Sequence, residues 1–378
     1  KYDIKTEFPA DVEKACESLG AHIIEEEIPK RRDLRELAFV TIDGDDAKDF
    51  DDAIHCSTLD DKFILRVAIA DVSHFVAKDN AIDQIARERG TSIYFPRMVV
   101  PMLPTVLSDD LCSLRPFTSR LVLVCEMVIE SNGLVKNSEF YLASIKSEAR
   151  LTYKQANNFF LNSNNAGGLI TPAIASNLKN LNTLFNYFNQ ARFERGALSF
   201  SSKETKYKFN ENNKIAGLIH SDQFKSHRII EECMLAANVC AAKLVGSFQN
   251  STLSRVHGSP GDEKVVQLNR ELRSLGVRLE LDFNPTPLAY RNLLKEISLR
   301  ENAPLIEQLV IKSLERAYYA DSNMGHFGLA YDRYTHFTSP IRRYPDLICH
   351  RAIKAIICNS SIPKEDLVFL GSHLSERE

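Results

Sequence analysis

Residues 38–54 read Ala38-Phe39-Val40-Thr41-Ile42-Asp43-Gly44-Asp45-Asp46-Ala47-Lys48-Asp49-Phe50-Asp51-Asp52-Ala53-Ile54. Two apolar stretches frame a decapeptide, 43–52, in which six residues are aspartate and Lys48 is the one counter-charge. The pattern predicts strand, acidic turn, strand. A solvated acidic tail would not be framed in this way. Unit charges about 4 Å apart repel by roughly 4 kcal/mol at an effective dielectric near 20. A turn this dense in carboxylates therefore calls for a cation.

Hard divalent ions such as Mg²⁺ take oxygen ligands, usually a few carboxylates with substrate phosphate oxygens. Asp49, Asp51 and Asp52 lie within four residues, and Asp43 joins them from the end of the preceding strand. In an extended chain Asp49 and Asp51 point one way and Asp52 the other, so the turn must bend to gather them. Two other readings stay open at this point. One is a structural Ca²⁺ loop, although no register supplies the EF-hand spacing. The other is a solvated acidic turn.

Outward from this turn, 38–148 is strand-rich: FVTID, KFILRVAIAD, TSIYF, SRLVLVCEMVIE and KNSEFYLASIKSEA carry β-branched and aromatic residues. Asn132-Gly133 predicts a hairpin, and FPRMVVPMLP reads as a Pro-rich turn. Upstream, a helix is expected over 9–19, opened by Pro9 and stopped by Gly20, followed by a charged linker, EEEIPKRRDLRE. Downstream, 151–195 is helical and polar, with a mobile loop at Asn162-Ser163-Asn164-Asn165 and Gly167-Gly168.

Residues 222–248 read as one long buried helix, with Ile229, Ile230, Cys233, Ala236, Ala237, Cys240, Ala241, Leu244 and Phe248 on its apolar face. Shorter helices follow over 262–275, 287–300, 304–320 and 341–357. Strands first and helices later argue for α+β: a mostly antiparallel sheet wrapped by helices. No boundary splits 31–378, so the chain reads as an N-terminal helix and linker, 1–30, and a single large domain, 31–378. The final SHLSERE stops inside a helical pattern, which leads us to expect further domains beyond this chain.

The 378 residues are 44% hydrophobic and 26% charged, an ordinary globular composition. The net charge of −3 leaves no overall basic footprint for nucleic acid, so any such surface must be local. The candidates are Lys30-Arg31-Arg32, Lys146 with Arg150, and Arg342-Arg343. Eight cysteines occur without a C-x-x-C pair, which argues against cysteine-bound zinc and for reduced, buried thiols in the cytoplasm. No signal pattern opens the chain, and the longest apolar run, Leu121 to Cys125, is too short to span a bilayer, so no membrane association is expected.

Two more segments carry chemistry. Tyr334-Thr335-His336-Phe337-Thr338-Ser339-Pro340-Ile341-Arg342-Arg343-Tyr344-Pro345-Asp346 places two arginines at the start of a helix, an arrangement suited to an anion. Either Ser339-Pro340 opens the helix, or it begins near Pro345 with 339–344 as a tight turn. The competing reading pairs both arginines with surface acids. Thr91-Ser92-Ile93-Tyr94-Phe95-Pro96 closes a strand with two aromatics on opposite faces, one for the core and one exposed. The core competes here with a base-stacking platform. His74, His227, His257, His326 and His350 lack mutual ligand spacing and read as packing or hydrogen-bonding residues, and Asp71 as the stop of a strand.

Taken together, DLRELAFVTIDGDDAKDFDDAI, SIYFPRMVVPMLP, IIEECMLAAN and GHFGLAYDRYTHFTSPIRRYPDLICHR resemble the catalytic domain of the ribonuclease II/R family, over roughly residues 30–378. The resemblance implies a processive 3′-to-5′ exoribonuclease that hydrolyses single-stranded RNA to nucleoside 5′-monophosphates. It implies one or two Mg²⁺ ions at the end of a buried channel, held by Asp43, Asp49, Asp51 and Asp52. Asp51, Arg342 and, more weakly, Arg343 would serve catalysis. Tyr94, Arg342 and Arg343 would contact RNA. A monomer with RNA-decay partners and flanking OB-fold domains is expected. The second stacking aromatic that some relatives carry after a Val-His pair is missing, since Val256-His257 is followed by Gly258-Ser259-Pro260. The rival readings are a non-catalytic RNA-binding module of the same fold and a DNA exonuclease with scattered carboxylates.

Overall fold

The computed structural model describes residues 4–162, 168–200, 204–210, 214–221, 223–248 and 251–378. Its strands are β1 (Arg32–Asp33), β2 (Val40–Asp43), β3 (Asp52–Leu59), β4 (Lys62–Ala70), β5 (Ile93–Phe95), β6 (Met98–Val100), β7 (Ser119–Ile129), β8 (Val135–Lys146) and β9 (Ala149–Thr152). Two further pairs are β10 (Glu204–Phe209) with β11 (Ile215–Ser221), and β12 (Ser254–Val256) with β13 (Tyr318–Ala320). Seven strands form the main sheet, in the order β1-β8-β7-β4-β3-β2-β9. The four inner pairings are antiparallel, and the outermost strand on each side, β1 and β9, joins in parallel.

Both faces of this sheet are buried, and its period of two sorts side chains between them. Ile54, Cys56, Leu65, Val67, Ile69, Leu123, Cys125 and Met127 enter one core, while Ala53, Ala68, Ala70, Val122, Val124, Ala143 and Ile145 enter the other. A one-residue slip would exchange the two sets, so the register is strongly specified. The first core is covered by α5 (Tyr153–Asn162), α6 (Pro172–Arg195) and α7 (Lys225–Val245). Ala236, Ala237 and Ala241 let α7 lie close, as its run of small residues predicts. The expected Phe248 contact is not made, because the helix ends at Val245 and Phe248 is exposed.

The other face carries α1 (Ala10–Cys16), α2 (Ala21–Glu27), α3 (Val72–Phe75) and α4 (Ala81–Arg89). The expected linker at 25–36 is structured instead: α2, a 3₁₀ turn over Ile28–Lys30 and β1 occupy it, and Ile24 is buried in this core. Three helices, α8 (Asp262–Ser274), α9 (Pro287–Ile297) and α10 (Ala303–Ser313), enclose a third core. The helix expected over 304–320 stops at Ser313, and Tyr318–Ala320 is a strand paired with β12. Next come α11 (Tyr344–Ile357) and α12 (Leu367–Arg377).

The Asn132-Gly133 hairpin forms between β7 and β8. Gly133 adopts φ 77°, and a Cβ there would meet the Tyr187 carbonyl oxygen at 2.6 Å. FPRMVVPMLP is only partly a turn: β5 and β6 make a hairpin about Pro96 and Arg97. Both Tyr94 and Phe95 are exposed, so neither aromatic is core. Most of the predicted loop at 162–168 lies outside the described residues. Among those described, no helix is long and apolar enough to cross a membrane.

Buried ion pairs fasten the layers. Asp71 does more than end a strand: it is buried, accepts from Arg31 at 2.8 Å and from Lys354 at 3.0 Å, and so ties the residue before β1, and α11, to the end of β4. Arg31 is thereby removed from the proposed basic surface. Arg32 lies 3.7 Å over the Tyr141 ring and pairs with Glu139. On α4, Asp83 accepts from Arg351 at 2.6 Å and from the Tyr344 hydroxyl at 3.0 Å, which fixes the start of α11.

Candidate active site

β2 ends at Asp43 and β3 begins at Asp52, so the acidic decapeptide turns at one end of the sheet. The neighbouring chain ends close around it. Ala70 N–H donates to the Asp51 carbonyl at 2.9 Å, Leu114 N–H to the Phe50 carbonyl at 3.0 Å, and β9 delivers Tyr153 beside Asp43. A cavity of about 1020 Å³ opens here. Asp43, Asp49, Asp51 and Asp52 line it, with Tyr94, Tyr153, Ser339 and Arg342.

The four aspartates are held differently. Asp43 accepts from Gly44 N–H at 2.6 Å. Asp49 accepts from the Tyr94 hydroxyl at 2.7 Å. Asp51 is buried, accepts from Ile341 N–H at 2.8 Å, and has its other oxygen 3.7 Å from Arg342 Nε. Asp52 opens β3 opposite Ile69. Desolvation raises three of these carboxyls, because an enclosed carboxylate loses water that the few local donors do not replace. Burial pushes Asp52 up to about 7, with Asp43 adding to it and Arg342 opposing. Burial also raises Asp43, with Asp49 as a further cause, and lifts Asp51 well above the usual range despite Arg342 and the Ile341 N–H.

The segment 339–343 is the tight turn, and α11 starts at Tyr344, with Pro345 in its first turn. Arg343 N–H donates to the Ser339 carbonyl at 2.9 Å, and Ser339 N–H to Asp346 at 2.8 Å. This turn separates the two arginines. Arg342 faces the aspartates, steadied by a 3.1 Å bond to Ser339 Oγ. Arg343 donates to Asp346 at 2.7 Å and does not line the cavity. Its expected part in catalysis and RNA contact is therefore not supported, because buried Asp346 already takes its charge.

The β5–β6 hairpin is tied to the same turn. Ser92 N–H donates to the Arg342 carbonyl at 2.9 Å, and Thr91 Oγ1 at 3.0 Å. Tyr94 thus stands exposed at the cavity beside Phe95, Met98 and Val99. Sequence reasoning missed Tyr153. It sits at the start of α5, and its ring stacks on His227 at 3.8 Å. Burial, with Asp43 and Asp52, raises its hydroxyl and keeps it protonated. No signal in the sequence marked it, since an aromatic opening a helix is ordinary core. The other histidines named above pack or bond as expected, with His257 accepting from Gly328 N–H at 2.9 Å and His350 bonded to the Phe337 carbonyl at 2.8 Å.

The donor set suits a hard divalent cation: oxygen ligands, no thiolate, and enclosed carboxyls whose charge Arg342 offsets only in part. Among the described residues, no three acidic, His or Cys side chains already converge as a finished cage. The fit is therefore one of donor chemistry and burial. Mg²⁺ characteristically keeps waters and takes ligands from its substrate, which suits such an open set.

The RNB domain model matches residues 31–359, and the chain belongs to that family. It is 43% identical over 366 residues to ribonuclease R of Vibrio parahaemolyticus, covering 97% of this chain and 44% of that protein. Ribonuclease R of Escherichia coli is 39% identical over 391 residues, covering 100% of this chain and 48% of that one. The chain spans about half the length of these relatives. Mycoplasma genitalium RNase R, solved with ribose-methylated single-stranded RNA, superimposes with a TM-score of 0.93 at 31% identity, over 99% of this chain and 60% of that one.

Proposed function

We propose that this chain is the catalytic core of a 3′-to-5′ exoribonuclease that hydrolyses single-stranded RNA processively to nucleoside 5′-monophosphates, with Mg²⁺ at the aspartate turn. The observation that carries it is the single cavity shared by Asp43, Asp49, Asp51, Asp52 and Arg342, with Tyr94 at its side. The relatives named ribonuclease R support the reaction class, and the RNA complex of the Mycoplasma protein supports RNA as the substrate.

In this reading Asp43, Asp49, Asp51 and Asp52 would hold one or two ions, which would supply positive charge for the attacking water and for the leaving 3′-oxygen. Arg342 neutralises charge that grows on the scissile phosphate. Tyr94 stacks on a base near the 3′ end and sets the register. Tyr153, kept neutral, offers a hydrogen-bond donor to the strand. The non-catalytic rival would be expected to lack one of the aspartates, and all four are present. Eight free cysteines favour a cytoplasmic protein. Further RNA-binding domains outside this chain would supply the basic surface that its charge of −3 lacks. We take it to act as a monomer with RNA-decay partners.

The test uses RNA labelled at its 5′ end, with and without Mg²⁺. Stepwise shortening with release of nucleoside 5′-monophosphates is expected. Early mid-chain fragments, or diphosphates formed only with added phosphate, would sink the reading.

A further inference from the structure

The acidic turn is gripped by different parts of the chain on its two halves. Residues 48–51 are held by Ser113, whose Oγ donates to the Lys48 carbonyl at 2.6 Å and accepts from Phe50 N–H at 3.1 Å, and by the bonds from Leu114, Ala70 and Ile341. Residues 44–47 follow the last pairing residue of β2 and carry a weak internal bond, Ala47 N–H to the Gly44 carbonyl at 3.3 Å. Arg150 reaches this first half. It sits on β9 opposite Thr41, and its Nη2 donates to the Gly44 carbonyl and, at 2.9 Å, to the Asp45 carbonyl. Its guanidinium carbon also lies 5.6 Å from the centre of the Phe50 ring, so one side chain touches both halves of the turn.

We infer that Arg150 is a positioning residue for the metal-binding turn: by bridging the Gly44 and Asp45 carbonyls to Phe50, it ties the half of the turn that follows Asp43 to the half that carries Asp49, so that both carboxylates can be gathered on one divalent cation. The inference rests on the metal reading of the aspartates. It also reassigns Arg150, whose place in the sequence suggested a basic surface for RNA. A guanidinium suits the task, since one of its nitrogens serves both carbonyls while the flat group lies near the Phe50 ring and stays charged.

The sign of the effect decides the case. As a mere charge, Arg150 would repel a cation, and removing it would tighten metal binding. As a brace, its loss lets the turn drift and weakens binding. Supporting groups behind metal ligands typically account for about 10–100-fold in affinity.

The experiment titrates metal-free protein with Mn²⁺ and follows the free-ion electron paramagnetic resonance signal, for wild type, Arg150→Met and Arg150→Lys. Steady-state kinetics on an oligoribonucleotide accompany it. The expected result for Arg150→Met is Mn²⁺ binding weakened by about 10–100-fold. Its kcat should fall at limiting metal and recover at saturating Mn²⁺ while KM for RNA stays within about twofold, whereas loss of folded protein lowers kcat at every metal concentration. A loss below about tenfold, no change, or tighter binding overturns the inference. If Arg150→Met does not fold, Arg150→Lys decides by the same threshold, since an ammonium is compact and lacks the planar group that reaches both the carbonyls and the Phe50 ring. Wild type that binds no Mn²⁺ would instead defeat the metal reading itself.

Discussion

Asp51 and Ile341 are 290 residues apart in the chain, and the Ile341 N–H donates to Asp51 Oδ1 at 2.8 Å. This bond brings the aspartate turn and the arginine turn onto one cavity. It also orients Asp51, leaving its second oxygen toward Arg342.

Asp51→Asn should therefore keep its fold, because the amide oxygen can still accept from Ile341. In the proposed metal site it would replace a carboxylate ligand by a weaker neutral one. Single-turnover cleavage should fall by about a hundredfold or more, a few kcal/mol of transition-state stabilisation. RNA binding should change little, since it rests on many phosphate and stacking contacts. Asp45→Asn is the control. A wild-type rate in Asp51→Asn, or an equal loss in the control, would refute these roles.

Tyr94 is joined to the same turn through its 2.7 Å bond to Asp49, yet its ring is exposed. Tyr94→Ala should weaken 3′-end engagement by about 1–3 kcal/mol and change the smallest undegraded fragment. Tyr94→Phe keeps the stacking face and loses only the hydroxyl, so its binding should stay near wild type. Equal binding losses in both variants would show that the Asp49 bond, and not the ring, is what matters.

Asp52 titrates near 7 in the folded protein against an ordinary value of 3.8. A raised carboxyl contributes stability at low pH that is lost as pH climbs through the folded value. His55 and His350, pushed down to about 4, act in the opposite direction. The clean comparison is therefore Asp52→Asn against wild type, by urea unfolding in EDTA. The variant should gain on wild type between pH 4 and 7, by up to roughly 4 kcal/mol. Saturating Mg²⁺ should shrink that gap. A gap that is flat or narrows with pH would contradict the assignment.

Arg31 and Asp71 are both buried and joined at 2.8 Å, with Lys354 completing the cluster. Arg31→Met leaves a buried carboxylate short of one of its two cations, with Lys354 still in place, and should destabilise the fold by about 1–3 kcal/mol. Urea midpoints at neutral pH measure this. A loss under about 1 kcal/mol would place the pair among ordinary surface contacts.

The sequence by itself determined the strands on either side of the aspartate turn, the β4 strand, the β7–β8 hairpin, the long helix and the turn itself. Each of these rests on local physics: side-chain period, β-branching, an Asn-Gly hairpin, and charge density between two apolar strands. It also yielded Asp43, Asp49, Asp51 and Asp52, because they lie within ten residues. What it could not decide were relationships across the chain. Arg342 and Arg343 are equivalent as letters, and only the 339–343 turn sends one to the cavity and the other to Asp346. Arg31 reads as surface charge until Asp71 and Lys354 are packed against it. Arg150 reads as a basic patch until β9 pairs with β2 and aims it at the turn. Tyr153 becomes part of the site only when the same strand pairing sets it beside Asp43 and Asp52. A charge or an aromatic ring takes its role from the group it meets, and in a sheet of this order those groups come from distant parts of the chain.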